Sequence, residues 1–508
     1  MLVKKKRSRS RGSWLIACFA LVAVLGIVTG HANAASVLRV PQDYLTIQAA
    51  IDAANPGDVV SVSPGVYNEM IDNHSKTITI ESTGGAAATV IDGQGGALRL
   101  TAIIGETPVL RGFTVEGGIY TSDGPALIES NRVLDDESCS GGIVAYFSSA
   151  TIQNNVVTGR PACSLFRPAI DVGGAGTVKV TRNVITANAG GGISMNAAGS
   201  PTISRNTITA NGGGGIAGVN QSDALIVNNV VAQNGYHGID WSVPFGTRGP
   251  IIANNTIVAN SLSAIFVDGF TRSMHVFNNI LVGTGNQTVV NCPGSFFEKD
   301  PPILEFNDVI STGTGSRYGG VCSDTGVSGN ISVDPLFSGD SDFRLQLGSP
   351  AIDAGTSVGA PPSDLEGNPR PRDGNADSVA SWDMGAYEYQ PPDTAPPQLS
   401  VSVTPDRLWP PNHGYVTIRA TVTATDDTDE APTLELVSVT SNEPDNAPGG
   451  DDGNTTNDVV KVDDFTFNFR AERNEKGAGR TYTVTYRATD ASGNSATQSA
   501  AVTVPARN

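Results

Sequence analysis

Residues 202–218 read TISRNTITANGGGGIAG, a short β-branched run, a polar turn, a second short run and a glycine-rich turn that leads to an isoleucine. Three further stretches follow the same plan: VTRNVITANAGGGISM from Val180, IVNNVVAQNGYHGIDW from Ile226 and IANNTIVANSLSAIFV from Ile252. Apolar and polar residues alternate over four to six positions in each, which is a strand period, and no window carries the i, i+3, i+4, i+7 spacing of a helix. One unit is therefore two or three short strands joined by bends.

Working outward, the frame apolar-x-x-Asn-x-apolar recurs at Asn131, Asn155, Asn183, Asn206, Asn229, Asn255, Asn279 and Asn307, at intervals of 23 to 28 residues. A unit that short cannot bury its own apolar face and must stack on a neighbour. A second column, Ile170, Ile193, Ile216, Ile239 and Ile265, advances with the first and lies ten residues after the asparagine in the last four repeats. Coils stacked at strand spacing, ~4.8 Å, bring both columns into register. The isoleucines then form an inner apolar stack, and the asparagines an amide ladder at a bend, each donating to the next.

The repeat resembles the right-handed parallel β-helix proteins of the pectin lyase-like superfamily, over about Val37 to Gln390. The entry VPQDYLTIQAAIDAANPGDVVSVSPGVYNE, residues 40–69, is similar to the opening of those proteins, which implies a short capping helix around Ile47 to Ala54. Such a cap covers strand edge and apolar surface that would otherwise be bare. The stretches DPLFSGDSDFRLQLGSPAIDAG from Asp334 and LEGNPRPRDGNADSVASWDMGAYEYQ from Leu365 resemble a choice-of-anchor Q module, which closes many exported β-helices.

Residues 4–11 carry six basic groups, Trp14 to Thr29 is apolar and HANAA follows, the pattern of a secretory signal peptide over 1–34. Its removal would leave 26 basic against 50 acidic groups, a net charge of −24. That balance argues against nucleic acid, and against a polyanionic sugar unless calcium bridges it. No other segment is apolar enough to span a membrane. Four cysteines remain after cleavage, an even number suited to an oxidising compartment, and pairs Cys139–Cys163 and Cys292–Cys322, each about one coil apart, are the preferred arrangement of the three possible, with buried free thiols as the alternative. After a Pro-rich linker at 391–397, residues 398–508 show six or seven strand-period runs and no helical pattern, a β-sandwich. LWPPNH at Leu408 and the TYTVTYRATDASGNSATQSAAVTV ending resemble bacterial immunoglobulin-like modules.

For chemistry, the Asn-Thr-Asp group of polygalacturonases and the Gln-Asp-Thr-Leu type group of pectin methylesterases are both absent. Residues one and three places after the isoleucine column should face outward, exposing Asp171, Asp240 and Asp268. Asp240 and Asp268 lie in adjacent coils, offset by two residues, a separation of about 8 Å that suits an inverting glycosidase pair. His237 and Arg272 complete the candidate catalytic set, and Tyr236, Trp241 and His275 are candidate sugar contacts, Trp241 as a stacking platform. A lyase would recast Asp240, Asp268 and Arg272 as calcium ligands and base. Asp373, Asn375 and Asp377 alternate like the start of a calcium loop but lack its glutamate. Acidic clusters at Asp426–Glu430 and Asp451–Asp452 are further possible calcium ligands in sandwich loops.

These readings converge on an all-β chain: a right-handed parallel β-helix over 37–333, a closing module over 334–390 and a C-terminal sandwich. The expected role is an exported monomer that binds extracellular or cell-surface glycan. The alternative is a polysaccharide lyase or glycoside hydrolase acting in a groove of the β-helix.

Overall fold

The computed structural model of the chain describes residues 35–103, 105–134, 142–159, 167–219, 223–242, 250–268, 274–294, 302–322, 328–446 and 452–506. Within them the first unit is a right-handed parallel β-helix wound from three sheets of 12, 11 and 10 strands. The first sheet runs from Val37–Val40 to Ile303–Glu305, the second from Gly65–Asn68 to Asp308–Ser311, and the third from Leu98–Arg99 to Tyr318–Gly320. Every neighbouring pair is parallel and in register, so that Ile170 pairs with Ile193, Ile193 with Ile216, Ile216 with Ile239 and Ile239 with Ile265. This column is at most 1% exposed.

Each coil turns at three bends, one between each pair of sheets, and two of them use the same device. At the first, the residue before each ladder asparagine sits in the left-handed region: Ser130, Asn154, Arg182, Arg205, Asn228, Asn254, Asn278 and Phe306 have φ between 51° and 56°. Reversing φ there turns the chain sharply, and the following asparagine points inward. The eight ladder asparagines are at most 2% exposed. From Asn155 onward each Oδ1 accepts from the backbone N–H and the Nδ2 of the asparagine one coil earlier, as Asn206 does from Asn183 at 2.9 and 3.0 Å, while that of Asn131 accepts the Phe113 N–H. Each Nδ2 also donates to a carbonyl of the preceding coil, so buried bend groups that water cannot reach are satisfied. Asn330 extends the ladder past Asn307. A second ladder, Asn188, Asn211, Asn234 and Asn260, lines the other bend, again behind left-handed residues (Ala187, Ala210, Gln233 and Ala259).

The N-terminal end is closed by the helix Ile47–Ala53, which buries Ile47, Ala50 and Ile51. Thr46 caps it through Oγ1, and the Glu69 carboxylate accepts from the N–H groups of Ile47 and Gln48 at 2.8 and 2.9 Å. These donors have no partner within the helix. Near the other end Cys292 and Cys322 form a buried disulfide. Cys139 and Cys163, like the signal segment expected over 1–34, lie outside the described residues.

Simple alternation fails between Leu225 and Gly283. There the outward positions Val230, Ala232, Thr256, Val258, Phe277, Ile280 and Val282 are as buried as the inward ones. Residues 354–370 and 382–387 pack back on these coils as a strap. Asn228 donates to the Ser363 carbonyl at 2.7 Å, Asn254 to Asp383 at 3.0 Å and Asn278 to Thr356 at 2.8 Å, while Arg205 bonds the Ser363 hydroxyl. Buried Arg370 joins the two limbs by donating to the carbonyls of Asp383 and Gly385.

The second unit contains two antiparallel sheets. Strands Gln398–Thr404, Tyr415–Thr425, Thr466–Arg470 and Val459–Lys461 form one, and Thr433–Ser441, Gly479–Thr489 and Ser495–Pro505 the other. Their core holds Val403, Ile418, Phe467, Phe469, Tyr482 and Tyr486. Tyr482 donates to the Arg470 carbonyl, and Tyr486 to that of Asp464.

Candidate functional site

The outer face of the third sheet presents two columns. One place after the inner column stand Asp171, Ser194, Ala217, Asp240 and Phe266, and three places after it Gly173, Asn196, Val219, Ser242 and Asp268. Asp240 faces outward and Asp268 sits diagonally across from it, since Asp240 pairs with Phe266 and Ser242 with Asp268. Burial lifts the Asp240 carboxyl from 3.8 to about 6, with the charge of Asp268 adding to the effect. Both causes disfavour its ionised form. Asp171, three coils away, is held by the Tyr146 hydroxyl at 2.6 Å.

Small side chains carve a slot beside Asp240. The coils of Ile193 and Ile216 bear only Ser194 and Ala217 on the first outer column, with Gly191 and Gly214 at the preceding bend. Pro168 stands at one end, and Tyr236 with Asp240 at the other. The volume is about 450 Å³, within the usual range for a small-molecule site. Tyr236 is 49% exposed.

The bend glycines serve two purposes. A Cβ on Gly212 or Gly235 would come within 2.3 Å of the preceding coil's backbone oxygen, so coil stacking itself requires glycine there. At Gly191 and Gly214 the nearest atom would be 3.3 and 3.1 Å away. Those two positions are only tight, and the missing side chain chiefly keeps the slot open.

Three of the expected contacts fall elsewhere. Trp241 is fully buried and is no stacking platform: it lies two places after the inner isoleucine, and a period of two turns it into the core. Gly218 in the preceding coil makes room, because a Cβ there would come within 2.3 Å of the indole. His237 is 6% exposed and serves the bend. Its Nδ1 accepts the Ser263 N–H at 3.1 Å, its ring stacks on Phe266, and burial lowers its pKa to about 4. It is a neutral acceptor, unsuited to general acid–base work near neutrality. His275 opens a strand of the first sheet, pairing with Ile251 and Ile303, and does not share the face of Asp240. Arg272 lies outside the described residues. The exposed aromatic at the slot is Tyr236.

In the 373–378 loop the side chains turn back on their own backbone: Asp373 accepts from the N–H groups of Asp377 and Ser378, Asn375 from that of Asp377, and Asp377 from that of Val379. Among the described residues, the acids whose oxygens converge within reach of one cation are two other groups, both in the second unit: Asp393, Asp426 and Asp490, and Asp452, Asp458 and Glu472. Asp451 lies outside the described residues. The Asp452 group holds a cation of its own. Buried Arg480 donates to Asp452 at 2.7 Å and to Asp458, and Arg470 stands 3.7 Å from Asp458. Burial, followed by the neighbouring Asp458, raises the Glu472 carboxyl to about 7. This network is the largest feature of the second unit that the sequence reading missed. Its members are spread over residues 443–480 with no regular spacing.

Among the described residues no helix is long and apolar enough to cross a membrane. No curated protein matches the chain. The sequence family described as "Right handed beta helix region" matches residues 141–296. Solved structures similar to this chain include the pectate lyase Pel9A (15% identity, 67% of this chain and 90% of that one, TM-score 0.42). The mannuronan C-5 epimerase AlgE4 A-module of Azotobacter vinelandii is also similar (16%, 57% and 95%, 0.38), as is XylC in its complex with xylose (13%, 66% and 67%, 0.41). At such identities and scores they carry no argument about activity. The family match and the three-sheet winding agree that residues 141–296 are a right-handed β-helix region.

Proposed function

We propose that this chain is an exported glycan-binding protein that holds a polysaccharide in the slot on the third sheet. The closing module, which resembles choice-of-anchor Q, and the immunoglobulin-like sandwich then serve in display at a cell surface. The observation that carries the reading is the slot itself, a depression two coils wide with an exposed aromatic, Tyr236, and a carboxyl, Asp240, at one end. An aromatic body with a few polar groups is the usual chemistry of a site for a ligand with both apolar faces and hydroxyls. Retention of the purified chain in affinity gels containing plant, algal and bacterial polysaccharides tests it. Saturable retention on at least one polymer, lost in Tyr236→Ala, is expected; retention on none, with and without calcium, would overturn it.

A second reading has its own support. The raised pKa of Asp240, beside Asp268 in the adjacent coil, suits a general acid paired with a base in an inverting hydrolase. New reducing ends from any polymer of the panel, abolished in Asp240→Asn and Asp268→Asn, would establish cleavage, and an unsaturated chromophore would mark it as elimination.

A further inference from the structure

The slot has a definite length and a definite charge. On its outer column Asp171 and Asp240, of which only Asp240 lines the slot, lie three strand pairings apart, about 14 Å at the spacing of parallel coils. Of the coils between them, both are stripped to small groups, Ser194 with Gly191 on one and Ala217 with Gly214 on the other. The coil spacing is close to the length of one pyranose ring in an extended glycan. Two empty coils therefore offer room for two rings, one per coil.

Position one after the inner column does not demand a small residue, for Phe266 occupies it in the coil after Asp240. Ser194 and Ala217 are two small residues in succession on a column that carries Asp171 before them and Asp240 and Phe266 after them. Two sets of positions, the bend and the outer column, are thus small in the same two coils.

Among the described lining residues none is basic, and the only ionisable carboxyl is Asp240. Arg167, just before Pro168, acts electrostatically on the Tyr146 hydroxyl at the Asp171 end. A sugar carboxylate or sulfate in this slot would meet the Asp240 carboxylate and, among the described lining residues, no cation. Burying a charge without a partner is strongly unfavourable, whereas sugar hydroxyls can donate to Asp240 and lay a C–H face on Tyr236.

We infer that the slot is selective for two consecutive rings of an uncharged glycan, seated between Pro168 and Tyr236 with hydroxyls on Asp240. This rests on the glycan-binding reading above and adds to it the class of sugar and the length of the site. Among proteins that share the β-helix architecture it sets this chain apart from any whose ligand is a polyuronate.

The test is calorimetric titration of the purified full chain, in EDTA at neutral pH and fixed salt. The ligands are neutral xylo-, cello-, manno- and galacto-oligosaccharides of one to six rings, with galacturonate and mannuronate oligomers of the same lengths. One neutral series is expected to bind, with affinity rising from one ring to two and changing little beyond three. The uronates should bind at least about tenfold more weakly, as like-charge contact implies. Ala217→Phe, which fills the slot with a side chain the column already accepts, should abolish binding while leaving the circular dichroism and melting temperature unchanged. Uronate bound more tightly than any neutral sugar, with Ala217→Phe still blocking it, would leave the glycan-binding reading standing and overturn the sugar class. Affinity that climbs steadily to six rings would overturn the two-ring length. Undiminished binding by a folded Ala217→Phe would move the site elsewhere. Absence of binding across the whole panel would overturn this inference together with the reading beneath it.

Discussion

Replacing Asn206 with leucine cuts the ladder at its centre, and the cost can be worked from the bonds that are lost. Asn206 is fully buried. Its Oδ1 accepts the Asn183 N–H at 2.9 Å and the Asn183 Nδ2 at 3.0 Å. Its Nδ2 donates to the Val180 carbonyl at 2.9 Å and to Asn229 Oδ1 at 3.0 Å. In Asn206→Leu, Asn183 Nδ2 keeps the carbonyls of Ile152 and Thr181, and Asn229 Oδ1 keeps the Asn206 N–H. The Asn183 N–H and the Val180 carbonyl lose a buried partner. At about 1–3 kcal/mol for each unsatisfied buried group, the penalty is about 2–6 kcal/mol. For a unit of this size that lowers the melting temperature by roughly 3–9 °C. Differential scanning calorimetry of the purified chain reads the change directly. Asn454→Leu is a poor control because Asn454 has φ of 59°, where leucine carries a backbone cost of its own. Asn286 is exposed in the β-helix without a left-handed backbone, and Asn286→Leu should leave the transition in place. Equal shifts in Asn206→Leu and Asn286→Leu would refute the ladder as a source of stability.

Further outcomes follow from other buried groups. Burial raises the Asp308 carboxyl from 3.8 to about 7, with Oδ1 accepting the Val333 N–H and Oδ2 unpaired. Between those values the folded chain keeps a proton that the unfolded chain has released. β-Helix stability should therefore fall as pH rises from about 4 to about 7, by up to roughly 4 kcal/mol. Asp308→Asn should flatten that slope in denaturant titrations at several pH values, and an unchanged slope would remove Asp308 as its source. Gly218→Val should destabilise by several kcal/mol through its clash with Trp241, and Trp241→Ala should do so by about 3–5 kcal/mol through a cavity. The double variant should recover part of the loss, and strict additivity in thermal melts would show that the two sites are not coupled. Reducing Cys292–Cys322, which spans 30 residues, should cost about 3–4 kcal/mol on loop entropy, measured as a shift in the denaturant midpoint with dithiothreitol.

The winding of the chain was legible because coil stacking forces equivalent residues into one line, so the ladder and the isoleucine column repeat in the sequence with the coil. The second ladder was equally regular. Asn188, Asn211, Asn234 and Asn260 each stand five residues after a member of the first, but the letters around them change from ITAN to VAQN to IVAN. Trp241 was misread because its neighbours, Tyr236, His237 and Asp240, suggested a cluster, while the parity of its position already turned it inward. The slot resisted reading for a different reason. It is made by side chains that are missing at Gly191, Gly214 and Ala217, and a run of glycines reads as a turn whether or not it borders a cavity. The strap left a faint trace in Val230, Val258, Ile280 and Val282, apolar where earlier coils place Thr207, Thr186 and Thr209, but nothing local says which distant segment covers them.

That strap is the last part of the unit to leave the ribosome. The coils from Arg205 to Ile280 are complete before residues 354–387 exist, and until then an oily stripe on their outer surface stands uncovered. A β-helix could otherwise lengthen coil by coil with each addition final, but here roughly a hundred residues of synthesis separate the stripe from its cover. The nascent chain must pass through an interval in which it is wound but still adhesive, and a truncation just before residue 354 would fix it there. For a chain read as bound for export, that interval is when a holding chaperone has the most to grip, and docking of the strap is the event that releases it.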